Sequence, residues 1–315
     1  MSFDPDVTGA LAPRGAAPDN PGPAAPGPGT VAPVAPVPVP GARLAVRRFL
    51  GHGPAVVGLA ILLLTAVMAI AADWIAPYDP QAVSTALLQP PSGEHLLGTD
   101  TVGRDILSQV IHGGRVSLIV ALVTGVGTLV LGALVGSIAG YYGGRVDAVL
   151  MRITEVFQVI PSFALALIIV AVLGTNLAYI CGALVMALWP QMARLVRGEV
   201  LKIMTTDMVA AARTVGHSNR RIIVSDVLPN ALPPLIVQAT IDLGSAILLQ
   251  AGLAFLGLGD PTNLSWGDIL QQAQRDLSAW WMSVPAGVVI FLVVLAANFV
   301  GDGLNRALRP TSSHL

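Results

Sequence analysis

The feature that most limits this chain is a series of apolar runs, each about as long as a helix needs to cross a hydrocarbon core of roughly 30 Å at 1.5 Å of rise per residue. The first, 54–75, carries one charge, Asp73, near its end. Further runs occupy about 117–140, 147–173, 178–196, 230–258 and 284–303. In lipid every backbone N–H and C=O has to be satisfied within its own segment, so these runs predict helices. The expected fold class is an all-α membrane protein with six transmembrane helices and one substantial polar loop, about 197–229, between the fourth and fifth. Composition agrees: 54% of the residues are hydrophobic, 11% are charged and the mean hydropathy is +0.73, more apolar than a water-soluble core requires.

Residues 1–42 precede the spans and hold eleven of the 24 prolines, mixed with Ala and Gly and without an apolar period. They read as a disordered, partly polyproline-like tail; 311–315 form a second short tail, and 43–310 the membrane domain. Ala69 and Ala71 imitate a cleavage site, but the run is long and follows some fifty residues, which favours an uncleaved anchor. Arg43, Arg47 and Arg48 hold the N-terminus on the cytoplasmic side by the positive-inside rule. Six spans then return the C-terminus to the same side. Charge supports this orientation independently: the two large outer loops contain only Arg104, Arg115 and Arg275, and most other basic residues fall at inner ends. The expected location is the cytoplasmic membrane, with the lipid bilayer as the chain's immediate surroundings.

Several function classes are excluded. A net charge of −1 with 17 scattered basic residues gives no electrostatic footprint for nucleic acid. One cysteine, Cys181, and five histidines spread from His52 to His314 argue against a disulfide framework or a metal site. The single lysine, Lys202, follows no Gly-x-x-x-x-Gly loop, and no nucleophile elbow or His-Glu-x-x-His helix is present, so no catalytic residue is assigned.

Within the spans, Gly132, Gly136 and Gly140 repeat on one helical face and predict close helix packing. Arg152 and Glu155 can pair on one turn, and Pro161 should bend the third span. Gln238, Asp242 and Ser245 share one stripe of the fifth span, with Asp242 near mid-depth. A carboxylate there needs water, a polar partner or a permeating solute, so the stripe is a candidate translocation path, a helix-to-helix hydrogen bond or a protonated buried acid being the other readings. In the outer loops, Ile106, Leu107, Val110 and Ile111 predict a short amphipathic helix that could lie on the membrane before the second span. Trp280 and Trp281 read as interface anchors.

The polar loop is the most informative segment. Residues 207–215 suit a short helix, small at Ala210, Ala211 and Ala212, and Gly216 can take the left-handed conformation that stops it. Ser218 can cap a second helix through Ile223, until Pro229 marks a new span. Basic residues in two short helices invite comparison with a DNA reader, but a loop pinned between two spans docks poorly on a duplex.

This loop resembles the one in the membrane subunits of bacterial ABC importers, where Glu-Ala-Ala is followed after three residues by Gly and, further on, by Ile-x-Leu-Pro. Ala211, Ala212, Gly216, Leu228 and Pro229 fall in register. Ala210 stands where the pattern has Glu, and Asp226 where it has Ile. His95-Leu96-Leu97-Gly98-Thr99-Asp100, Gly103-Arg104-Asp105 and Gly114-Arg115-Val116-Ser117-Leu118 resemble the hallmark of the dipeptide, oligopeptide and nickel permease branch. So do Leu228-Pro229-Asn230 and Phe255-Leu256-Gly257-Leu258-Gly259. The likeness covers roughly 44–310 and is strongest to the second, or C, permease.

The resemblance implies a non-catalytic subunit that pairs with a homologous permease, two cytoplasmic ATPases and an extracytoplasmic solute-binding protein. ATP and Mg²⁺ would be bound by the ATPases, with no cofactor in this chain. Asp207, Ala210, Ala211, Ala212, Gly216, Leu228 and Pro229 would form the ATPase-coupling segment. Short peptides are the expected cargo, with nickel chelates and glutathione open within the same branch. An ATPase-independent carrier or channel, and an intramembrane enzyme centred on Asp242, are the readings from other classes.

Overall fold

The structure, a computed structural model, describes residues 42–308. The expected tails, 1–42 and 311–315, lie outside the described residues except for Ala42, which opens the first helix. The described chain is helical: α1 (Ala42–Leu50), α2 (Gly53–Ile70), α3 (Ala72–Ile75), α4 (Ile106–Tyr142), α5 (Gly144–Val159), α6 (Ser162–Leu173), α7 (Leu177–Met204), α8 (Asp207–Thr214), α9 (Asn219–Arg221), α10 (Leu228–Leu253), α11 (Trp266–Ala273) and α12 (Trp280–Leu308). Two π-helical segments, Ile222–Val227 and Ala254–Leu258, join α9 to α10 and extend α10. Five helices are long and apolar enough to cross a membrane, and the bent pair α5–α6 makes a sixth span if counted as one.

The bent pair carries the chain from one end of the bundle to the other. At its start Asp147 meets the Arg197 guanidinium near the end of α7, at 2.5 and 2.6 Å. Beyond its end the Leu177 N–H donates to Asp260, past the end of the fifth span. The expected bend at Pro161 is a break of 86° between α5 and α6. Pro161 has no N–H to continue the ladder, and the preceding Ile160 takes the extended conformation that proline imposes. The Arg152–Glu155 pair forms at 3.2 Å on an exposed face.

Glycines set the helix spacing. Side chains at Gly132 and Gly136 would meet Met192 Cγ at 2.5 Å and the Ala193 carbonyl at 2.4 Å, and one at Gly140 would meet Val200, so α4 and α7 approach backbone to backbone. On the other side, Gly58 of α2 faces the Ala296 carbonyl of α12. Buried Ile106, Val110, Ile247, Trp266, Met282 and Val293 join α4, α10, α11 and α12 into one apolar cluster.

Three expectations about boundaries are corrected. The first span ends at Ile70, not at 75, and Ala72–Ile75 is a separate turn. Arg115 terminates the helix by donating to the Ala69 and Ile70 carbonyls while it forks onto Asp73. The amphipathic segment at 106–111 is not a separate short helix. It is the first part of α4, a single helix of 37 residues, about 55 Å long and so longer than a bilayer core is thick. Gly113 and Gly114 do not interrupt it, because their bare faces seat the Trp266 ring, whose Nε1–H reaches the Val110 carbonyl at 2.9 Å. Finally, α7 runs on past the expected limit at 196 to Met204.

Beyond α3, residues 76–105 fold back over the start of α4 and form a cap with α11. Asp105 caps α4 through the Ser108 N–H and hydroxyl, both at 2.8 Å, and its other oxygen meets His95 Nδ1 at 3.0 Å. Asp100 accepts from the Val102 and Arg104 N–H groups and from Gln109. Trp281 donates to the Thr99 carbonyl and is half-buried, so it pins this loop to α12, whereas Trp280 is exposed.

Candidate coupling site

At the opposite end, α7 stops at Met204 and the chain turns directly into α8. The Thr206 hydroxyl donates to the Ile203 carbonyl at 2.7 Å, and Asp207 in the first turn of α8 suits the positive end of the helix dipole. One apolar edge anchors α8: Val209 is buried and Ala212 half-buried, in the cluster formed by Val200, Ile222, Val227 and Ala231. Asp207, Met208, Ala210, Ala211 and Val215 are exposed. Val215, at 76% exposure, is an apolar tip with nothing of its own chain over it.

The helix stop is complete. Gly216 has φ +84°, its N–H donates to the Arg213 carbonyl at 3.0 Å, and the His217 N–H donates to the Ala212 carbonyl at 3.1 Å. This is the paired hydrogen-bond arrangement that closes a helix with a left-handed residue. No atom lies within 4 Å of where a Gly216 side chain would begin, so backbone conformation rather than space calls for glycine there.

The second half of the loop departs from expectation. Ser218 does cap a helix, accepting from the Arg221 N–H at 3.4 Å, but that helix does not end before Pro229. It widens into the π-helical segment and continues as the fifth span, one helix from Asn219 to Leu258. Pro229 cannot donate to a helical carbonyl, and the Leu228 N–H reaches back five residues to Ile223 just before it. Leu228 is half-buried and Pro229 exposed at this widened turn. The loop is therefore one free-standing helix followed by a protruding stem of the fifth span.

Residues not singled out from sequence tie α8 to that stem. The Tyr141 hydroxyl, at the end of α4, donates to Asn219 Oδ1 at 2.8 Å, and the Arg213 guanidinium lies over the Tyr141 ring at 5.8 Å. One tyrosine thus touches α4, α8 and the fifth span. Its aromatic character was visible in the chain, but nothing in the local pattern linked it to residues some seventy positions away. Asp226, where the related pattern has Ile, has a partner of its own: His217 Nδ1 lies 3.8 Å from its Oδ2, and both atoms are buried without a hydrogen bond.

The mid-depth stripe is only partly assembled. Gln238 Nε2 donates to Asp242 Oδ1 at 2.8 Å, while Asp242 Oδ2 is buried without a partner among the described residues. The Ser245 hydroxyl turns back to the Ile241 carbonyl and joins neither. No group of three or more metal-ligating side chains occurs among the described residues.

The chain matches the family model of the binding-protein-dependent transport system inner membrane component over residues 132–313, a stretch that includes the whole coupling loop. It belongs to that family. The match places it in the inner membrane as a multi-pass, non-catalytic component of an ABC importer, which works with ATPase and binding-protein partners. Residues 42–91 also match the N-terminal transmembrane domain of oligopeptide transport permease C. The dipeptide transport system permease protein DppC of Escherichia coli is 42% identical over 288 residues, covering 88% of this chain and 95% of that one. The di/tripeptide permease protein DppC of Pseudomonas aeruginosa is 42% identical over 262 residues, 80% of this chain and 86% of its own. Among solved structures, the inward-facing MetNI methionine ABC transporter shares the fold, with a TM-score of 0.54 at 23% identity over 65% of this chain and 98% of that one.

Proposed function

We propose that this chain is one of two homologous permease subunits that move short peptides into the cell, driven by two ATPases on the side where α8 protrudes. The observation that carries this reading is the form of α8: anchored through Val209 and Ala212, stopped at Gly216, and presenting Asp207, Ala210, Ala211 and Val215 outward. A helix held on one edge and bare on the other is suited to seat in a groove of a partner. A rigid stop is what mechanical coupling needs, since a floppy loop would dissipate the displacement. The path from α8 through Arg213, Tyr141 and Asn219 into the fifth span gives such a displacement a route to the membrane helices. Peptide as cargo is supported by the dipeptide and di/tripeptide permeases that are similar to most of this chain.

The positive-inside bias puts α8 and both chain ends in the cytoplasm, and the cap of residues 76–105 with α11 outside. In this reading the Gln238–Asp242 pair and Ser245 border the translocation path. Asp242, closed off between helices here, meets solute only when the spans part. A solute can drive such a change only through unequal affinity for the two states.

The test is reconstitution of the four-part membrane complex with its binding protein in proteoliposomes. A labelled dipeptide should accumulate only with ATP and all components present. Uptake by this chain alone would contradict the coupling reading, and accumulation of nickel chelate or glutathione in place of dipeptide would reassign the cargo.

A further inference from the structure

The cap holds a second feature that the coupling reading does not use. A cavity of about 310 Å³ opens between the first outer loop, the start of α4 and the segment carrying α11. Arg104, Gln109, Asp260, Asp268, Gln271 and Gln272 all face it. It lies at the cap ends of α4 and of the fifth span.

The charged residues around Gly103-Arg104-Asp105 are used unequally. Asp100 and Asp105 are buried and occupied, one holding the turn and the other capping α4. Arg104 has no ion pair among the described residues, and its Nε is buried without a hydrogen-bond partner. Buried donors are normally satisfied, and a guanidinium fork is shaped for a carboxylate.

The other walls carry the opposite sign. Asp260 accepts from Thr262 and from the Leu177 N–H, and Asp268 Oδ2 closes the capping box with Ser265. Burial pushes the Asp268 carboxyl up from its ordinary range, while its hydrogen bonds to Ser265 act to lower it. An ionised carboxylate has about four acceptor sites, so neither group is exhausted by these contacts. Two carboxylates disfavour a simple anion, and Arg104 disfavours a simple cation. The cavity is also at the small end of the roughly 300–1,000 Å³ usual for ligand pockets, too small for a folded segment of a protein.

We infer that this cleft is an outer reception site for a zwitterionic short peptide, with Arg104 taking the terminal carboxylate, Asp260 and Asp268 facing the terminal ammonium, and the glutamines facing the amide between. The inference rests on the peptide reading above, and it assigns to this subunit a share of cargo recognition at its outer face. It also gives the hallmark motif a division of labour, in which two aspartates build the turn and the arginine between them meets the solute.

The experiment uses the assembled permease–ATPase complex in nanodiscs without its binding protein, and measures binding of Ala-Ala, N-acetyl-Ala-Ala and Ala-Ala-amide by saturation-transfer NMR. Ala-Ala should bind, and blocking either end should weaken it about tenfold. Arg104→Gln should weaken Ala-Ala by a similar factor and abolish the penalty for the amide, because residue and carboxylate act as one pair. Arg104→Lys keeps the charge without the fork and should fall between; it provides the same comparison if the glutamine variant does not assemble. Absence of Ala-Ala binding to the wild-type complex, or an amide penalty that persists undiminished in the Arg104 variants, overturns the inference. Dipeptide uptake by the complete system separates the two levels: with uptake intact only the reception site falls, whereas without it the peptide reading falls as well.

Discussion

The two ends of the bundle are built on opposite plans. At the cap, residues 76–105 are bound to α4 and α12 by buried polar groups that nearly all find partners, among them His95, Thr99, Asp100 and Asp105, and the Trp266 indole ties α11 to α4. At the α8 end, a helix of eight residues rests on one buried valine and a tyrosine, with its apolar tip in the open and an unjoined His217–Asp226 contact behind it. Local openings cost little where few contacts hold a segment, so the α8 end is the part suited to move or to be completed by a partner, and the cap is the part suited to stay fixed. Elements that work against an energy source must be displaced relative to something rigid. This chain provides both.

The largest expected effect tests what the two ends share. Gly136→Val would place a side chain 2.4 Å from the Ala193 carbonyl, which cannot retreat without moving α7. Overpacking of this sort costs about 1–3 kcal/mol or more, and the chain should fail to accumulate in membranes, as judged by immunoblot. Normal accumulation would mean that α4 and α7 are not locked together and that the ends are mechanically separate.

Next comes the cap alone. Asp105→Ala removes the cap of α4 and the partner of a buried His95, for an expected loss of about 1–2 kcal/mol. The complex should melt earlier while the peptide transported per ATP stays unchanged. A fall in that ratio would show that the cap takes part in coupling and would break the comparison.

Tyr141→Phe should do the reverse. It deletes one hydrogen bond, worth about 0.5–1.5 kcal/mol, yet it cuts the link from α4 to the stem of the fifth span. Transport per ATP should drop severalfold while the melting temperature falls no further than in Asp105→Ala. The smallest effect is expected from Asp226→Ile. His217 and Asp226 are each about a quarter exposed and too far apart to hydrogen-bond, so the pair contributes below about 1 kcal/mol, and uptake should stay within twofold of wild type.

Much of this was legible in the sequence. Apolar runs gave the spans because lipid leaves the backbone no other choice, and Gly216 announced a helix stop because few other residues accept positive φ. What misled was local punctuation whose purpose is tertiary. The spacing of Ile106, Leu107, Val110 and Ile111 reads as a short surface helix, but it opens α4, which runs on through Gly113-Gly114 because that bare patch seats Trp266. Pro229 looks like the start of a span, but the helix passes through it by widening to a π turn. Asp226 remains a departure from the pattern, since its contact with His217 is too long for a hydrogen bond. In the first two cases the partner is distant in sequence or the remedy is geometric, and neither leaves a periodic signal.

The central claim is that α8 transmits force through the fixed angle set at Gly216, and the most direct measurement pairs two variants with the same backbone cost. Gly216 and Gly257 both have φ +84° and no atom within 4 Å of a new side chain. Valine at either place should cost about 1–2 kcal/mol of backbone strain, but only Gly216 lies between α8 and the fifth span, Gly257 being at the cap end of that span. In proteoliposomes containing the full complex, Gly216→Val should leave assembly and ATP hydrolysis in place while lowering peptide transported per ATP by an order of magnitude, with Gly257→Val close to wild type in that ratio. Equal ratios for the two variants, or a Gly216→Val complex that transports normally per ATP, would contradict the account.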